Sequence, residues 1–450
     1  MAESNVIAPI FRWANWGIAD DIFTGINNSY FYSENIEVRE NSKWISLSKK
    51  LVQATSSDYK INVIVKATST LFIALWNSWA CKKCKNWNWS VVNTGVSQAF
   101  LSGAVFNDYL YVATRSVLYK VAVSDINSNA TVTLTKVDDL TSADNHPMLV
   151  SMGDLYIWNG SKLSKVDVSN VFSDLFTMET WWVITKLNDL WWAIRVITQS
   201  ALWNSNIYLW DWVSDLPDET IPLIWYVTYQ SQIFNGYPYL ITNRGLWILD
   251  WYKIYPLKKI DDFADIDNWI WVYNERLVIA WKNWIYSWGA KNKNYNEVLS
   301  YDYVANGEVS AICSDWIDLF VAWKKTVSWT TTYWIDKLSN SAFNTSWYLI
   351  TRWYYANSLK EVKEWILAWI GYSDLTTWQS IEIQYSVNGW AFTSLRTIGT
   401  TTQTIESFTE DMFVRDRFQY IQFKIVLNWN WTNTPSFYAL DFMFNNNVLR

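Results

Sequence analysis

Apolar and polar residues alternate with a period of two along most of the chain, and clusters of turn residues interrupt the alternation. Successive side chains of a β-strand point to opposite faces, so this alternation is typical of strands and not of helices. Strands separated by turns about every 8 to 12 residues are characteristic of sandwiches, barrels and propellers. The pattern therefore predicts an all-β protein.

A longer repeat is superimposed on this alternation. Each copy reads as an apolar strand, a turn, a second apolar strand with Tyr or Trp, and a short apolar strand. The seven copies begin at Ile61, Phe100, Pro147, Ala193, Tyr226, Ile270 and Val309. They are spaced by roughly 30 to 47 residues, near the roughly 40 to 50 of a four-stranded propeller blade. The repeat predicts a seven-bladed β-propeller, and the period is also compatible with six or eight blades.

The pattern divides the chain into three parts. Residues 1–45 are predicted to form an N-terminal arm and a closing strand, and residues 46–342 the β-propeller. The strand pair from Asn35, "NIEVRENSKWISLSKKLVQAT", is predicted to join the last blade, so that early and late strands share a sheet. The period breaks near Phe343, and the longer strands of residues 343–450 predict a C-terminal β-sandwich.

The composition is anomalous in two residue types. The chain has 35 Trp and only 13 Gly, whereas roughly 30 Gly would be average at this length. Ten Trp directly follow Asn or Asp, where turns favour glycine. These are Trp16, Trp87, Trp89, Trp212, Trp251, Trp269, Trp284, Trp316, Trp429 and Trp431.

The stretch "SVNGWAFTSL" from Ser386 illustrates this anomaly. Asn388-Gly389 between two alternating runs predicts a hairpin, and Trp390 follows where a small residue is usual. Tryptophan does not readily adopt the positive φ that many turns need. We interpret many of the Trp residues as glycines of a lineage that reads UGA as glycine. The alternative is a genuinely Trp-rich protein, for example one that stacks sugars on indole faces.

Charge and the N-terminus exclude several classes of protein. The net charge is −6 and no long run of like charge occurs, which argues against a nucleic-acid-binding face. The start "MAESNVIAPIFRW" has neither the basic nor the apolar region of a secretory signal. No window approaches the roughly 18 uninterrupted apolar residues of a membrane helix. We expect no nucleic-acid-specific site, no signal peptide and no membrane insertion.

Few residues could carry chemistry. Cys81 and Cys84 form a single CxxC, and Cys313 stands alone. A structural zinc site needs four ligands, so the sequence predicts no metal site, and we interpret the CxxC as a hairpin tip with two exposed thiols. His146, the only histidine, is interpreted as a surface loop residue.

A propeller glycosidase would need converging arginines and carboxylates. The candidate arginines fall in separate repeats: Arg115, Arg195, Arg244 and Arg276. The carboxylate pairs Asp20–Asp21 and Asp261–Asp262 are adjacent in sequence, and adjacent strand residues point to opposite faces. No phosphate-binding GxxxxGK[ST] or GxGxxG occurs, even with Gly in place of Trp. The sequence therefore predicts a protein that is not an enzyme, with no catalytic, cofactor-binding or metal residues.

The segment "GIADDIFTGINNSYFYSENIEVRENSKWISLSKKL" near the start of the chain resembles the N-terminal arm and first strand pair of propeller-type virion proteins of tailed bacteriophages. The tail "SIEIQYSVNGWAFTSLRTI" with "RFQYIQFKIVLNWNWTNTPSFYALDFMF" is similar to the sandwich that ends many phage tail proteins. The matching N-terminal residues are Asp20, Asp21, Phe23, Gly25, Asn35, Ile36, Arg39, Trp44 (as Gly) and Leu47.

The resemblance implies a structural component of a bacteriophage particle or prophage, such as a tail or nozzle-like propeller protein. Its partners would be other virion proteins in a homo-oligomeric or ring assembly, and it would reside in the virion after assembly in the host cytoplasm. Another class remains open, a carbohydrate-binding adsorption protein that recognises host surface glycans. A third, a glycan-cleaving propeller enzyme, requires carboxylates and arginines that converge in the central channel.

Overall fold

The computed structural model describes residues 5–12, 30–34, 36–37, 46–76, 80–86, 88–178, 182–190, 193–200, 204–214, 217, 219–250, 253–259, 269–281, 284–290, 297–304, 307–315, 317–344, 346–351, 353–354, 363–402, 405–409, 417–429 and 434–446. Strands dominate these residues, and one short helix, α1 (Val123–Ser128), occurs among them. The first strands are β1 (Asn5–Arg12), β2 (Tyr30–Glu34), β3 (Ile36–Glu37), β4 (Ser46–Leu47) and β5 (Lys49–Ser57), and β3 pairs with β4.

Seven four-stranded sheets follow among the described residues, and we call them blades 1 to 7. Blade 1 contains β6 (Ile61–Lys66), β7 (Leu71–Trp76), β8 (Ala80–Lys85) and β9 (Asn88–Asn93). Blade 2 contains β10 (Ser102–Phe106), β11 (Tyr109–Ala113), β12 (Val117–Ala122) and β13 (Thr135–Asp139). Blade 3 contains β14 (Met148–Ser151), β15 (Asp154–Asn159), β16 (Lys162–Val166) and β17 (Phe172–Thr177).

Blade 4 contains β18 (Trp182–Leu190), β19 (Ala193–Ser200), β20 (Ser205–Trp210) and β21 (Glu219–Leu223). Blade 5 contains β22 (Thr228–Phe234), β23 (Tyr237–Thr242), β24 (Gly245–Asp250) and β25 (Lys253–Lys259). Blade 6 contains β26 (Trp269–Tyr273), β27 (Arg276–Trp281), β28 (Trp284–Ala290) and β29 (Glu297–Val304). Blade 7 contains β30 (Glu308–Ser314), β31 (Leu319–Val327), β32 (Thr330–Phe343) and, as its fourth strand, the early strand β5.

The first strands of the blades form a closed ring. They lie next to one another in chain order from β6 to β30, and β30 lies next to β6 again. A closed ring of four-stranded sheets is the arrangement of a β-propeller. The predicted all-β fold with a propeller is therefore confirmed.

The second strand of each blade explains why the repeat was visible in the sequence. In β7 all six residues are buried. Ile73 and Leu75 pack with residues of blade 2, whereas Phe72 and Ala74 pack with residues of blade 7. Because a blade is covered on both faces, its second strand is a continuous apolar run and does not alternate.

The chain after blade 7 forms β33 (Ser346–Thr351), β34 (Lys363–Tyr372), β35 (Ser380–Val387), β36 (Thr393–Ile398), β37 (Ile405–Thr409), β38 (Arg417–Phe418), β39 (Ile421–Asn428) and β40 (Phe437–Asn446). One sheet has the order β1-β40-β34-β37, with β38 also paired to β34, and the other has the order β2-β33-β39-β35-β36. Buried residues of both sheets form one apolar core, in which Trp347 stacks on Phe437 at 6.2 Å between ring centroids. The two sheets therefore form a β-sandwich.

The chain divides into two compact units. One unit, Val52–Asn283 with Ala305–Lys337, contains most of the blade strands, and we call it the propeller unit. The other, Met1–Leu51, Trp284–Val304 and Leu338–Arg450, contains the two sandwich sheets together with β28 and β29, and we call it the sandwich unit. In the sandwich unit, β1 pairs with β40 and β2 pairs with β33. The sequence predicted an N-terminal arm and a closing strand for residues 1–45, whereas β1 and β2 are strands of the sandwich sheets. No local pattern indicates this pairing, because the partner strands are far away in the sequence.

The fourth repeat starts one strand earlier than the sequence analysis placed it. The predicted start was Ala193, whereas blade 4 begins with β18 at Trp182. β18 reads "WVITKLNDL", and polar residues such as Lys186 and Asn188 interrupt its apolar pattern. The prediction was wrong here because these polar side chains line a cavity.

Candidate ligand-binding cavity

A cavity of about 1320 Å³ lies in the propeller unit, inside the ring of first strands. Ligand pockets commonly measure roughly 300–1,000 Å³, so this space is large enough for a small molecule. The first strand of every blade contributes to its wall. Representative lining residues from blades 1 to 7 are Val63, Gly103, Leu149, Lys186, Gln230, Trp271 and Ser310.

The wall from blade 4 owes its geometry to a β-bulge at Thr185. Beyond the bulge, Leu187 packs into the core that blade 4 shares with blade 3. Asn188 points the other way, and its Oδ1 accepts a hydrogen bond of 2.6 Å from Ser231 Oγ of blade 5. Lys186 is two residues before Asn188 and so shares its face of the strand, which places Lys186 towards blade 5 and the cavity.

Lys186 is a partly buried cation without a counter-ion. It has no hydrogen bond or ion pair with any residue that the structure describes. Burial lowers the pKa of its ammonium group to about 8, because the charged form loses solvation by water. A negative group bound in the cavity would oppose this shift.

Arg195 is a second cation on the same side of blade 4. It lies directly opposite Asn188 in the pairing of β18 with β19, so it is a diagonal neighbour of Lys186, and such neighbours lie roughly 7–8 Å apart. Arg195 is 4% exposed, and its Nε and Nη1 have no partner among the described residues. Burial also lowers the pKa of its guanidinium group, to about 10.

Two other lysines of the wall, Lys66 and Lys324, have acidic partners. Lys324 Nζ lies 2.9 Å from Glu308 Oε2 within blade 7. Lys66 Nζ of blade 1 lies 3.8 Å from Asp315 Oδ2, near the start of β31. The positive charge of blade 4 therefore stands out within the described part of the wall.

Polar groups complete the wall. Gln230 and Gln232 of blade 5 line the cavity, and an amide side chain can both donate and accept hydrogen bonds. Ser310 lies at a β-bulge in blade 7, and its buried Oγ has no partner among the described residues. A buried polar atom without a partner is unusual and is often found where a ligand or water binds.

The cysteines are not at a hairpin tip. Cys81 and Cys84 lie within β8 and are each 1% exposed. They pack into different core clusters, because residues three apart in a strand point to opposite faces. No disulfide joins the three cysteines, and burial raises the pKa of the Cys81 and Cys313 thiols to about 12. The prediction of exposed thiols was therefore wrong.

The prediction for His146 was also wrong, because its side chain is fully buried. Its Nδ1 lies 2.7 Å from the carbonyl oxygen of Trp158 in blade 3, and its Nε2 lies 3.1 Å from the carbonyl oxygen of Arg115 in blade 2. The imidazole thus lies between backbone carbonyl oxygens of two blades. A polar loop sequence gives no sign of such buried contacts.

The other candidate residues do not converge. Arg115, Arg195, Arg244 and Arg276 lie in blades 2, 4, 5 and 6, as their sequence spacing indicated. Asp20, Asp21, Asp261 and Asp262 lie outside the described residues. Within the described residues no group of three or more His, Cys, Asp or Glu could hold a metal ion, and no helix is long and apolar enough to cross a membrane.

Several tryptophans have backbone conformations that favour glycine. Positive φ values between 67° and 72° occur at Trp212, Trp225, Trp329 and Trp378. Trp329 is the second central residue of the two-residue turn between β31 and β32. Gly153 and Gly236 hold the same position in the two-residue turns that join the first and second strands of blades 3 and 5, with φ of 85° and 82°.

Trp390 behaves differently. The predicted hairpin forms, with φ of 51° at Asn388 and 81° at Gly389, and the N–H of Trp390 donates to the carbonyl oxygen of Val387 at 3.0 Å. Trp390 itself does not have a positive φ. Its backbone therefore does not require glycine, although its side chain is 77% exposed.

No protein-family model matches the sequence, and no curated protein matches it. Solved structures of similar fold include the WD40 β-propeller domain of Doa1, at 10% identity, a TM-score of 0.46 and coverage of 65% of this chain and 98% of that chain. YCF48 bound to D1 peptide is 8% identical, with a TM-score of 0.47 and coverage of 67% and 98%. PorZ of the type-IX secretion system of Porphyromonas gingivalis is 13% identical, with a TM-score of 0.45 and coverage of 68% and 42%. The closed ring of sheets places the chain in the class of β-propeller proteins.

Proposed function

We propose that the protein is a structural component of a bacteriophage particle or prophage, a tail or nozzle-like propeller protein that acts by subunit assembly. The observation that supports this most is the folding of both chain ends into one unit. β3, which carries Ile36 of the N-terminal motif, and β35 and β39, which carry the C-terminal motif, all belong to the sandwich unit. The two segments that resemble phage proteins are thus parts of one folded body.

The propeller would serve this role as a rigid disc. The described four-stranded sheets close a ring, and β5 completes the last of them with a strand from the early part of the chain. Closure removes the long open sheet edges at which strands pair without specificity. Partners would be other virion proteins, with the chain itself in a homo-oligomeric or ring assembly.

The proposal includes the recoding of UGA as glycine. It is supported by the positive φ at Trp212, Trp225, Trp329 and Trp378, since a residue other than glycine in this region costs about 1–2 kcal/mol. Buried indoles give a second support. The Nε1 of Trp76, Trp158, Trp323 and Trp347 is buried and has no hydrogen-bond partner among the described residues, and buried indole N–H groups usually find one.

Tandem mass spectrometry of purified phage particles tests both parts. The tryptic peptide from Glu364 to Arg396 contains four Trp positions, including Trp378 and Trp390. We expect the peptide in particles, with the mass of glycine at Trp378. Absence of the peptide from particles, with the gene expressed, would remove the virion role. Tryptophan masses at all four positions would remove the recoding.

Carbohydrate binding is the second candidate, and exposed indoles favour it. Trp225, Trp329, Trp378 and Trp390 are 68% to 101% exposed, and indole faces are suited to stacking on sugar rings. This function requires that they are translated as tryptophan. The same mass spectrum therefore separates the candidates, and binding of the purified chain to host surface glycans would support the second only if tryptophan masses are found.

A further inference from the structure

We propose that the cavity wall between blades 4 and 5 binds an oxyanion, the carboxylate, phosphate or sulfate group of a small ligand. Lys186 would contact the anion. Arg195 would supply the second positive charge from its buried position behind Lys186. The inference goes beyond the structural role and does not depend on it, because it concerns the interior of the propeller unit. The argument rests on charge placement and on the groups that line the cavity.

Two cations share one face of blade 4 at the distance of diagonal neighbours. Like charges so placed repel each other, and in a poorly solvated site the repulsion is stronger than in water. Lys186 and Arg195 have no acidic partner among the described residues. An anion bound next to Lys186 is the arrangement that would neutralise both.

Asp189 is the lining carboxylate closest to Lys186 in sequence, and it does not neutralise this pair. It lies three residues after Lys186, on the opposite face of β18 with Leu187. Its side chain is exposed, so water solvates its charge. Asp189 therefore leaves the face with Lys186 positive.

Hydrogen-bond donors for an anion are present beside this face. Asn188 lines the cavity on the same face of β18 as Lys186. Ser231 of blade 5 orients its amide by donating to Oδ1, so the two N–H groups of Nδ2 are the donors beside Lys186. Oxyanions have several lone pairs, which a lysine ammonium and amide N–H groups can satisfy together. A cation or an uncharged sugar would leave the two positive charges without compensation.

Isothermal titration calorimetry of the full chain with inorganic phosphate, at constant ionic strength and neutral pH, tests the proposal. We expect saturable binding with a Kd of about 1 mM or lower. Lys186→Gln should weaken it about tenfold or more, because a charged partner is lost. Lys324→Gln is the matched control, since it removes a cavity lysine that Glu308 already neutralises, and we expect less than about a twofold change. Titrations with acetate and sulfate then identify the preferred oxyanion.

Labelling of the unmodified protein supplies a readout that needs no variant. An amine-acylating reagent followed by peptide mass spectrometry reports the reactivity of each lysine, and phosphate should protect Lys186 but not Lys324. Absence of saturable binding for all three anions at about ten times the expected Kd would overturn the proposal. Equal weakening by Lys186→Gln and Lys324→Gln, or equal protection of both lysines, would also overturn it, because either result indicates non-specific screening.

Discussion

Blades 4 and 7 contribute to the wall of the same cavity, but they hold their interior charges in different ways. In blade 7, Lys337 Nζ lies 2.7 Å from Oδ1 of the buried Asp318. The ammonium and the carboxylate thus form an ion pair at hydrogen-bonding distance. In blade 4, Lys186 and Arg195 have neither an ion pair nor a side-chain hydrogen bond with a described residue.

The difference separates charges that belong to the fold from charges that serve a ligand. A buried ion becomes tolerable when a counter-ion offsets its lost solvation, as in blade 7. Interior cations without a counter-ion do not stabilise the fold when no ligand is bound, and such groups are concentrated at functional sites. Removal of one charge should therefore have opposite effects on stability in the two blades.

The largest effect is expected for Lys337→Met in blade 7. This change leaves the Asp318 carboxylate buried without its partner, which should lower the free energy of unfolding by about 3–5 kcal/mol. Urea denaturation followed by circular dichroism measures it. Lys136→Met is the matched control, because its pair with Asp139 is exposed and exposed pairs contribute little to stability. Equal losses in both variants would contradict the assignment of the blade 7 pair to the fold.

The pH dependence of stability tests Lys186 in blade 4. Its pKa is about 8 in the folded protein and about 10.4 in an unfolded chain. Between these values the unfolded state binds more protons, so the free energy of unfolding rises with pH. Compared with Lys186→Met, the wild type should gain on the order of 2 kcal/mol between about pH 7 and pH 10. Urea midpoints at several pH values measure the difference.

A control excludes a general effect of alkaline pH. Lys324→Met removes a paired lysine from the same cavity, and its stability difference from the wild type should not follow this course. The ionisable groups on the elements around Lys186 are Arg195, Asp189, Tyr229, Lys60, Lys66, Asp144, Glu308 and Lys324. A constant difference between the wild type and Lys186→Met would show that Lys186 is solvated as an ordinary surface lysine.

Arg195→Met should act in the direction opposite to Lys337→Met. It replaces a buried guanidinium without partners by an apolar side chain, so we expect the free energy of unfolding to rise by about 1–2 kcal/mol. The same variant should bind phosphate more weakly, which would separate ligand binding from stability. Arg244→Met is the control: Arg244 is exposed and lies 4.8 Å from the ring centroid of Tyr226, and its loss should destabilise by about 0.5–1 kcal/mol. Destabilisation by Arg195→Met would mean that the guanidinium does have a partner.

The fold could be predicted from the sequence where packing imposes a simple pattern. Strands such as β11 (YLYVA) and β15 (DLYIWN) are covered on both sides, so they appear as apolar runs at regular spacing. The site could not be predicted, because the residues of β18 that face the cavity are polar and interrupt the apolar pattern by which a strand is recognised. That Arg195 has no counter-ion among the described residues becomes apparent only from the three-dimensional structure. The pairing of β1 and β2 with distant strands likewise leaves no local trace.

The smallest expected effect comes from replacing a turn tryptophan by glycine. This change does not involve charge, so its effect on stability should have the same direction in both blades. Trp329 in blade 7 and Trp212 in blade 4 have φ of 71° and 67°, and glycine at either position removes a strain of about 1–2 kcal/mol. Trp329 is fully exposed, so Trp329→Gly should raise the free energy of unfolding by about 1 kcal/mol. Trp212 packs partly against the core, so lost burial should reduce its gain.

Trp334→Gly provides the control within blade 7. Trp334 lies in β32 and stacks on Trp323 at 6.3 Å between ring centroids, so its replacement should destabilise by about 2 kcal/mol or more. Thermal unfolding of the three variants side by side measures the pattern. A gain for Trp329→Gly with a loss for Trp334→Gly would show that the backbone of the turn is built for glycine. Equal losses would mean that this turn accommodates tryptophan, and the support that φ gives to recoding would disappear in blade 7.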